Sequence, residues 1–374
     1  MSGNKRTSTT VSRSRKPSPG HNGNGRVATH AHHPSATEGP QRAPGSAAQH
    51  FMEMHFGFAP ARILSAALEL NVFDHIAGGS LTAGKVARAA EASERGMRML
   101  LDALVGIGFL TKTDARYGLT DVARKHLLRD APEYLGDFLS LNALWDAWGH
   151  LTESVRTGRP YLPVDQKDVA EDFFPKLIRS LHVVNAEPAR LAAQILGAGT
   201  RSRGLRVLDV ACGSGIWSIA IAEADPHAHV TALDFPVVLE VTREFLKRHR
   251  LETRFDFLPG DLKTAELGAA RYDVAVLGNI VHSEGEQSSR DLFRRVYRAL
   301  APGGRIVILD MIPSDERNAP LFPLIFALNM LVNTTTGDTY TFAEYDRWLS
   351  EAGFERVETA DIGSHSPMII GYKG

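Results

Sequence analysis

The sequence predicts an α/β protein in which a doubly wound, mostly parallel seven-stranded sheet follows an α-helical module that ends in a β-wing. Three observations lead there. Beyond Gly204, near-continuous apolar strands alternate with helical segments, as in a parallel sheet covered on both faces. Between Phe51 and Arg129, apolar residues recur at helical spacing and then give way to a hairpin pattern. Residues 1–50 carry almost no large apolar side chains, so the fold is built without them. At 374 residues the chain is long enough for two cores and a tail.

The tail holds seven basic residues (Lys5, Arg6, Arg13, Arg15, Lys16, Arg26 and Arg42) against one acid, Glu38. With so little to bury it cannot offset its ordering entropy, and it is expected to be disordered. Its His30-Ala31-His32-His33 cluster reads as solvated, because ligands on a floppy chain must be ordered before they hold a metal. The basic start lacks the apolar segment of a secretory signal, and no uninterrupted apolar run is long enough to span a bilayer. The sole cysteine, Cys212, excludes an intrachain disulfide framework and a thiolate zinc cluster. A soluble protein in the reducing cytoplasm, without membrane contact, is the expectation.

In the module, Ile63, Ala66, Ala67 and Leu70 share a helical face, and Asn71 breaks it before Val72-Phe73. Thr82 N-caps a short helix through Val86 and Ala90; Ser93 caps another with Met97, Leu100, Leu101, Leu104 and Val105 inward. GFLTKTDARYGLT then reads as a hairpin turning near Asp114-Ala115, and helices followed by such a wing suggest a winged helix. Residues 51–130 hold ten basic and nine acidic residues, too balanced for a surface that grips phosphates. An interaction or dimerisation module is predicted rather than a reader of nucleic acid.

Residues 131–200 are helical with aromatic inserts: Tyr134, Phe138, Trp145, Trp148, Phe173 and Phe174. Two readings stand, a wall for a flat ligand (with Trp145 and Trp148 as candidates) or packing between domains. The stretch Thr157–Asp168, with Gly158, Pro160 and Pro163, reads as a loop. These shifts divide the chain into a tail (1–50), a helical winged-helix module with linker helices (51–174) and the α/β domain (175–374). Strands are read at Arg206–Val210, His229–Asp234, Arg254–Pro259, Tyr272–Gly278 and Arg305–Asp310, with a last hairpin at Arg356–Ala360 and Met368–Tyr372. Helices fill Trp217–Ala224, Pro236–His249, Ser288–Ala299 and Phe342–Ala352. Ligands of such sheets bind beyond the carboxyl ends of the strands, at the switch point.

The chemistry concentrates in Val207-Leu208-Asp209-Val210-Ala211-Cys212-Gly213-Ser214-Gly215-Ile216-Trp217. A buried strand ends near an acid, a glycine turn follows, and a helix begins. A dinucleotide turn wants a third glycine where Ser218 stands, and it lacks an acid in the place of Asp209. An acid there repels pyrophosphate and attracts an ammonium. Asp234 ends the second strand, where a carboxylate can accept both hydroxyls of a ribose. Asp261 follows the third in Pro259-Gly260-Asp261-Leu262, suited to an adenine amino group with Leu262 stacked nearby. One such acid is an ordinary turn former; three at successive strand ends point to a ligand.

The runs LDVACGSG, ALDFP, PGDL, NIVH and ALAPGGRIVILD resemble the class I S-adenosylmethionine-dependent methyltransferases, a Rossmann-like family. With the preceding module, residues 51–374 look like the dimeric small-molecule O-methyltransferases. The resemblance implies S-adenosyl-L-methionine as cofactor and a winged-helix module used for homodimerisation. It implies Asp209, Gly213 and Gly215 around the methionine moiety, Asp234 with Phe235 at the ribose, Asp261 and Leu262 at adenine, and Asn279 beside them. The family's general base is a histidine just after the fourth strand, the place of His282. A phenol, with pKa near ~10, is a poor nucleophile at pH 7, and a neutral imidazole can take its proton. The chain departs from the family pattern in three places. After His282 comes Ser283-Glu284-Gly285-Glu286, where Glu284 and Glu286 are both candidates to orient the imidazole. Ala211 and Cys212 stand where glycines are commoner. The usual later acid is replaced by the amide- and hydroxyl-rich 329–336, where Asn329 and Asn333 lie one helical turn apart, facing a substrate or ending a helix. No metal site is expected, since Asp310 alone ends the fifth strand. The expectation is an O-methyltransferase of a hydroxylated aromatic or polyketide-like metabolite. Carbon or nitrogen transfer on the same scaffold, and a cofactor-binding DNA-associated regulator, are the rivals.

Overall fold

The structure, a computed structural model, describes residues 46–140, 142–165 and 167–374. Residues 1–45 of the basic tail, with its histidine cluster, lie outside these residues; the last residues of the expected disordered tail, 47–50, are instead the first turn of a helix. The chain divides after Phe56. The described part of the first unit is a helix, Ala47–His55, capped by Ser46 Oγ, which accepts the Gln49 N–H at 3.3 Å.

From Gly57 the second unit opens with helices Ala59–Glu69, Val72–Ala77, Ala83–Ala89 and Glu94–Gly106, and Asn71 breaks the chain at φ 50°. Ser93 Oγ accepts the Gly96 N–H at 3.1 Å, while Thr82 sits at its N-cap position without a side-chain bond. The wing is present: β1 (Leu110–Thr113) pairs antiparallel with β2 (Arg116–Leu119), and Asp114 turns the chain at φ 55°. Leu68, Phe73, Leu101, Leu104, Leu110, Tyr117 and Leu127 close one core beneath it. Asp102 ties the wing to the Glu94–Gly106 helix by accepting from Tyr117 Oη at 2.7 Å and Lys112 Nζ at 2.6 Å.

Short helices Gly136–Leu139, Asn142–Gly149 and Leu151–Thr157 lead to one long helix, Lys167–Ile195, which runs without a break across residues 174–175. The sheet then forms from β3 (Arg206–Val210), β4 (His229–Asp234), β5 (Phe255–Pro259), β6 (Tyr272–Gly278), β7 (Leu300–Leu309), β8 (Arg356–Ala360) and β9 (Met368–Tyr372). Their order is β5-β4-β3-β6-β7-β9-β8; the first five run parallel and β9 is antiparallel to both neighbours. Side chains alternate between two cores, as strand geometry requires. Val207, Val230, Val274 and Val307 face the helices Ile216–Ala224 and Pro236–His249. Leu208, Leu233, Ala275 and Ile306 face Glu286–Ala299 and Phe342–Ala352. The last of these starts at a capping box, Thr341 with Glu344.

Element boundaries differ from the sequence reading at a few ends. β5 begins at Phe255 because Glu252–Arg254 forms a 3₁₀ turn, pinned by Arg254 donating to the Asp225 carbonyl at 2.9 Å. β7 reaches back to Leu300, which leaves Asp310 one residue beyond its end. Asn333 is the last residue of the helix Leu321–Asn333, so the pair Asn329/Asn333 forms its final turn. Among the described residues no helix is long and apolar enough to cross a membrane.

Candidate active site

The strand order reverses at β3, whose neighbours β4 and β6 lead away to opposite edges, so the crevice lies above its carboxyl end. There Ala211, Gly213 and Gly215 take φ 54°, 57° and 75°, and the chain doubles back into the Ile216–Ala224 helix. The two glycines adopt this conformation without steric cost; Ala211 adopts it at about 1 kcal/mol. Thr242 braces the turn by donating to the Gly213 carbonyl at 2.7 Å.

Asp209 is buried beneath the turn. Its Oδ2 accepts the Ser218 hydroxyl at 2.5 Å, while its Oδ1 has no partner. Burial pushes its carboxyl up to about 7, against the Ser218 hydrogen bond. An orphaned buried carboxylate oxygen beside a glycine cradle has the chemistry of a site for a cation. Asp234 stands at the end of β4, with Oδ2 accepting the Gly213 N–H at 2.9 Å and Oδ1 the Phe235 N–H at 2.8 Å. Burial raises it to about 6, opposed by these two amides. Asp209 and Asp234, two of the three strand-end acids read from sequence, thus lie at one turn. Asp261 lies past β5, its Oδ1 taking the Lys263 N–H at 2.8 Å, and Gly260 N–H joins this end to the Asp234 carbonyl at 3.0 Å. Leu262 packs partly buried against the core, and the Phe235 ring is 40% exposed.

β6 ends in Gly278, where a Cβ would stand 2.3 Å from Trp217 Cδ1. The backbone can pass the indole only without a side chain. Gly278→Ala is expected to destabilise the protein by about 1–3 kcal/mol through overpacking, read as a lowered denaturation midpoint. Asn279 follows at φ 57°, its N–H on the Leu309 carbonyl at 2.7 Å, and its side chain makes no hydrogen bond among the described residues.

His282 sits in the 3₁₀ turn Val281–Ser283 and is buried. Its Nδ1 is 2.6 Å from Asp310 Oδ1, and its backbone N–H donates to Asp310 Oδ2 at 3.0 Å. Met311 N–H and Tyr345 Oη complete the shell of Asp310, at 2.8 and 3.3 Å. A carboxylate on Nδ1 fixes the tautomer with the lone pair on Nε2. Nε2 has no partner among the described residues, and the Phe326 ring packs nearly perpendicular to the imidazole, 4.9 Å between centroids. The sequence reading of the orienting acid is corrected here. Glu284 is engaged by Ser288 and lies 3.4 Å from Lys263, and Glu286 binds Arg290. Asp310 was legible as the strand end next to β6, but its place beside His282 depends on the parallel register Gly278↔Leu309.

The helix Leu321–Asn333 brings Phe326, Asn329 and Asn333 onto one side. Asn329 Oδ1 accepts from Trp148 Nε1 at 3.0 Å and from Asn333 Nδ2 at 3.1 Å; the buried Asn333 Oδ1 has no partner. Trp145 stands apart, 43% exposed, with Phe58 at 5.8 Å and the Arg62 guanidinium 5.3 Å above its ring. That placement matches packing against the Ala59–Glu69 helix. Among the described residues no cluster of three or more potential metal ligands occurs.

The fold is that of the class I methyltransferases, and the chain belongs to the O-methyltransferase family. The O-methyltransferase domain matches residues 188–355 and the O-methyltransferase dimerisation domain residues 52–129. The chain is 31% identical to the tetracenomycin polyketide synthesis 8-O-methyl transferase of Streptomyces glaucescens, over 89% of this chain and 97% of that protein. It is 30% identical to the 3-hydroxy-5-methyl-1-naphthoate 3-O-methyltransferase of Streptomyces sahachiroi, over 82% and 90%. The structure of human N-acetylserotonin methyltransferase in complex with S-adenosylmethionine superposes with a TM-score of 0.78 at 26% identity, covering 89% of this chain and 99% of that one.

Proposed function

We propose that the protein is a homodimeric enzyme that methylates a hydroxyl of a small aromatic or polyketide-like metabolite, using S-adenosyl-L-methionine. The observation that carries this reading is the buried His282–Asp310 pair, 2.6 Å apart, which follows β6, the strand paired with β3. When bound, the cofactor supplies an electrophilic methyl group on a sulfonium. Asp209 Oδ1 receives its ammonium, and Gly213 and Gly215 let the backbone close on the methionine end. Asp234 takes the ribose hydroxyls with Phe235 beside them; Asp261, Leu262 and Asn279 serve the adenine side. His282 Nε2 would accept the hydroxyl proton as the acceptor oxygen took the methyl group, the bonding pair of the broken S–C bond staying on sulfur as a neutral thioether, and Asp310 would balance the charge formed on the imidazole. Trp148, Asn329 and Asn333 wall the acceptor's place, and Trp145, packed against Phe58 and Arg62, takes no part in it. Two relatives named for transfer to polyketide and naphthoate hydroxyls support the acceptor class. The matched dimerisation domain and the exposed Phe58, Met99 and Val122 support a homodimer.

Calorimetric titration with S-adenosylmethionine and, separately, NAD tests the cofactor. Micromolar binding of the former alone is expected, followed by methylation of phenolic acceptors detected by mass. Binding of NAD alone, or of neither, sinks the reading.

A further inference from the structure

The helix Lys167–Ile195 carries His182 to the glycine turn, and none of the roles above uses it. Its ring is buried and stacked on Phe245, with centroids 3.7 Å apart and planes within 13°. Its Nδ1 lies 3.1 Å from the hydroxyl of Ser214, the buried residue between Gly213 and Gly215. No other polar side chain described on this helix bonds to the turn. Arg179, one turn earlier, anchors the helix through two bonds to Glu244, at 2.9 and 3.0 Å. Ile178 is the nearest neighbour of Gly213, 3.7 Å from where a Cβ would stand.

A leucine could cover Phe245 at less cost, since burying an imidazole forfeits its hydration. Burial, followed by the charges of His249 and Arg248, pushes His182 down to about 3, so it is neutral at physiological pH. Its Nε2 has no partner among the described residues. The polar tip therefore serves one contact, the Ser214 hydroxyl, whose rotation it fixes.

We propose that His182 is a positioning residue for the cofactor: by holding Ser214 Oγ it keeps the glycine turn in the shape that receives the methionine end of S-adenosylmethionine. The proposal rests on the methyltransferase reading. His182→Phe keeps the stack on Phe245 and removes the polar link. Its Kd for S-adenosylmethionine is expected to rise about three- to tenfold, the worth of one net hydrogen bond. Its kcat at saturating cofactor should match the parent enzyme. His182→Asn, whose amide can occupy the place of Nδ1, should restore Kd to within about twofold. An unchanged Kd in His182→Phe, or a loss confined to kcat, overturns the proposal. If His182→Phe does not fold, Ser214→Ala is titrated in its place, with the same two outcomes. Failure of the unsubstituted protein to bind S-adenosylmethionine refutes the methyltransferase reading itself, so the two failures are distinguishable.

Discussion

His282→Ala is expected to lower kcat by about 10²–10⁴-fold, the usual worth of a positioned general base, while leaving the Kd for S-adenosylmethionine unchanged. The reason is geometric. Nδ1 is committed to Asp310 at 2.6 Å, so Nε2 is the nitrogen able to take a proton. Without it, the acceptor must ionise by itself, and a phenol with pKa near ~10 is scarcely ionised at neutral pH. The residual rate of His282→Ala should therefore climb with pH, about tenfold per unit, toward the acceptor's own pKa. Asp310→Asn gives a second reading of the same pair. An amide that donates to Nδ1 favours the tautomer with its proton on Nε2, so kcat should fall by at least about tenfold with the imidazole still present. A kcat unchanged in His282→Ala would remove the base from the mechanism and favour an acceptor that needs none, such as an amine.

Cofactor affinity should weaken steeply as pH falls from 8 toward 5.5. Burial holds Asp209 at about 7 and Asp234 at about 6 in the cofactor-free site, so both are largely protonated below that range. An ammonium on Asp209 Oδ1 and ribose hydroxyls on Asp234 favour the ionised forms, so binding expels protons. Each group that must ionise costs up to about tenfold in Kd per pH unit below its own pKa. Titrations in buffers of different ionisation enthalpy should show proton release near pH 6.5. Asp234→Ala should abolish binding at every pH. Stability of the cofactor-free protein moves the other way. Both folded-state values stand above the ordinary 3.8, so the folded state holds extra protons, and this contribution is lost as pH rises from about 4 through about 7. Raising pH should thus widen the gap in melting temperature between cofactor-bound and cofactor-free protein. A pH-independent Kd would mean that neither carboxylate meets the cofactor.

The sheet was readable because its strands are apolar on both faces and its turns fall at glycines. The wing was readable because Asp114 interrupts a period-two pattern. Asp209, Asp234 and Asp261 stood out because acids at strand ends are a local signal. Asp310 as the partner of His282 was not, because 28 residues separate them and their meeting depends on β6 and β7 lying side by side. Glu284 and Glu286 drew attention by proximity in sequence, yet the start of the Glu286–Ala299 helix sets them against Ser288 and Arg290, four residues on. The Trp148–Asn329 bond spans 181 residues, a distance that no periodicity encodes. His182 is equally silent in sequence, since its meaning comes from the turn it touches.

The Trp148–Asn329–Asn333 chain also bears on how such an enzyme changes through descent. The His282–Asp310 pair, proposed to handle the proton, follows the ends of β6 and β7, whereas this chain hangs on two helices outside the sheet. On the proposed reading, substitutions within residues 142–149 and 321–333 are expected to change which acceptor is methylated while leaving methyl transfer itself intact. A change at residue 148 takes one of two donors from the Asn329 amide oxygen and leaves the other, Asn333, so substitutions at 148 and 329 are expected to be coupled in their effects.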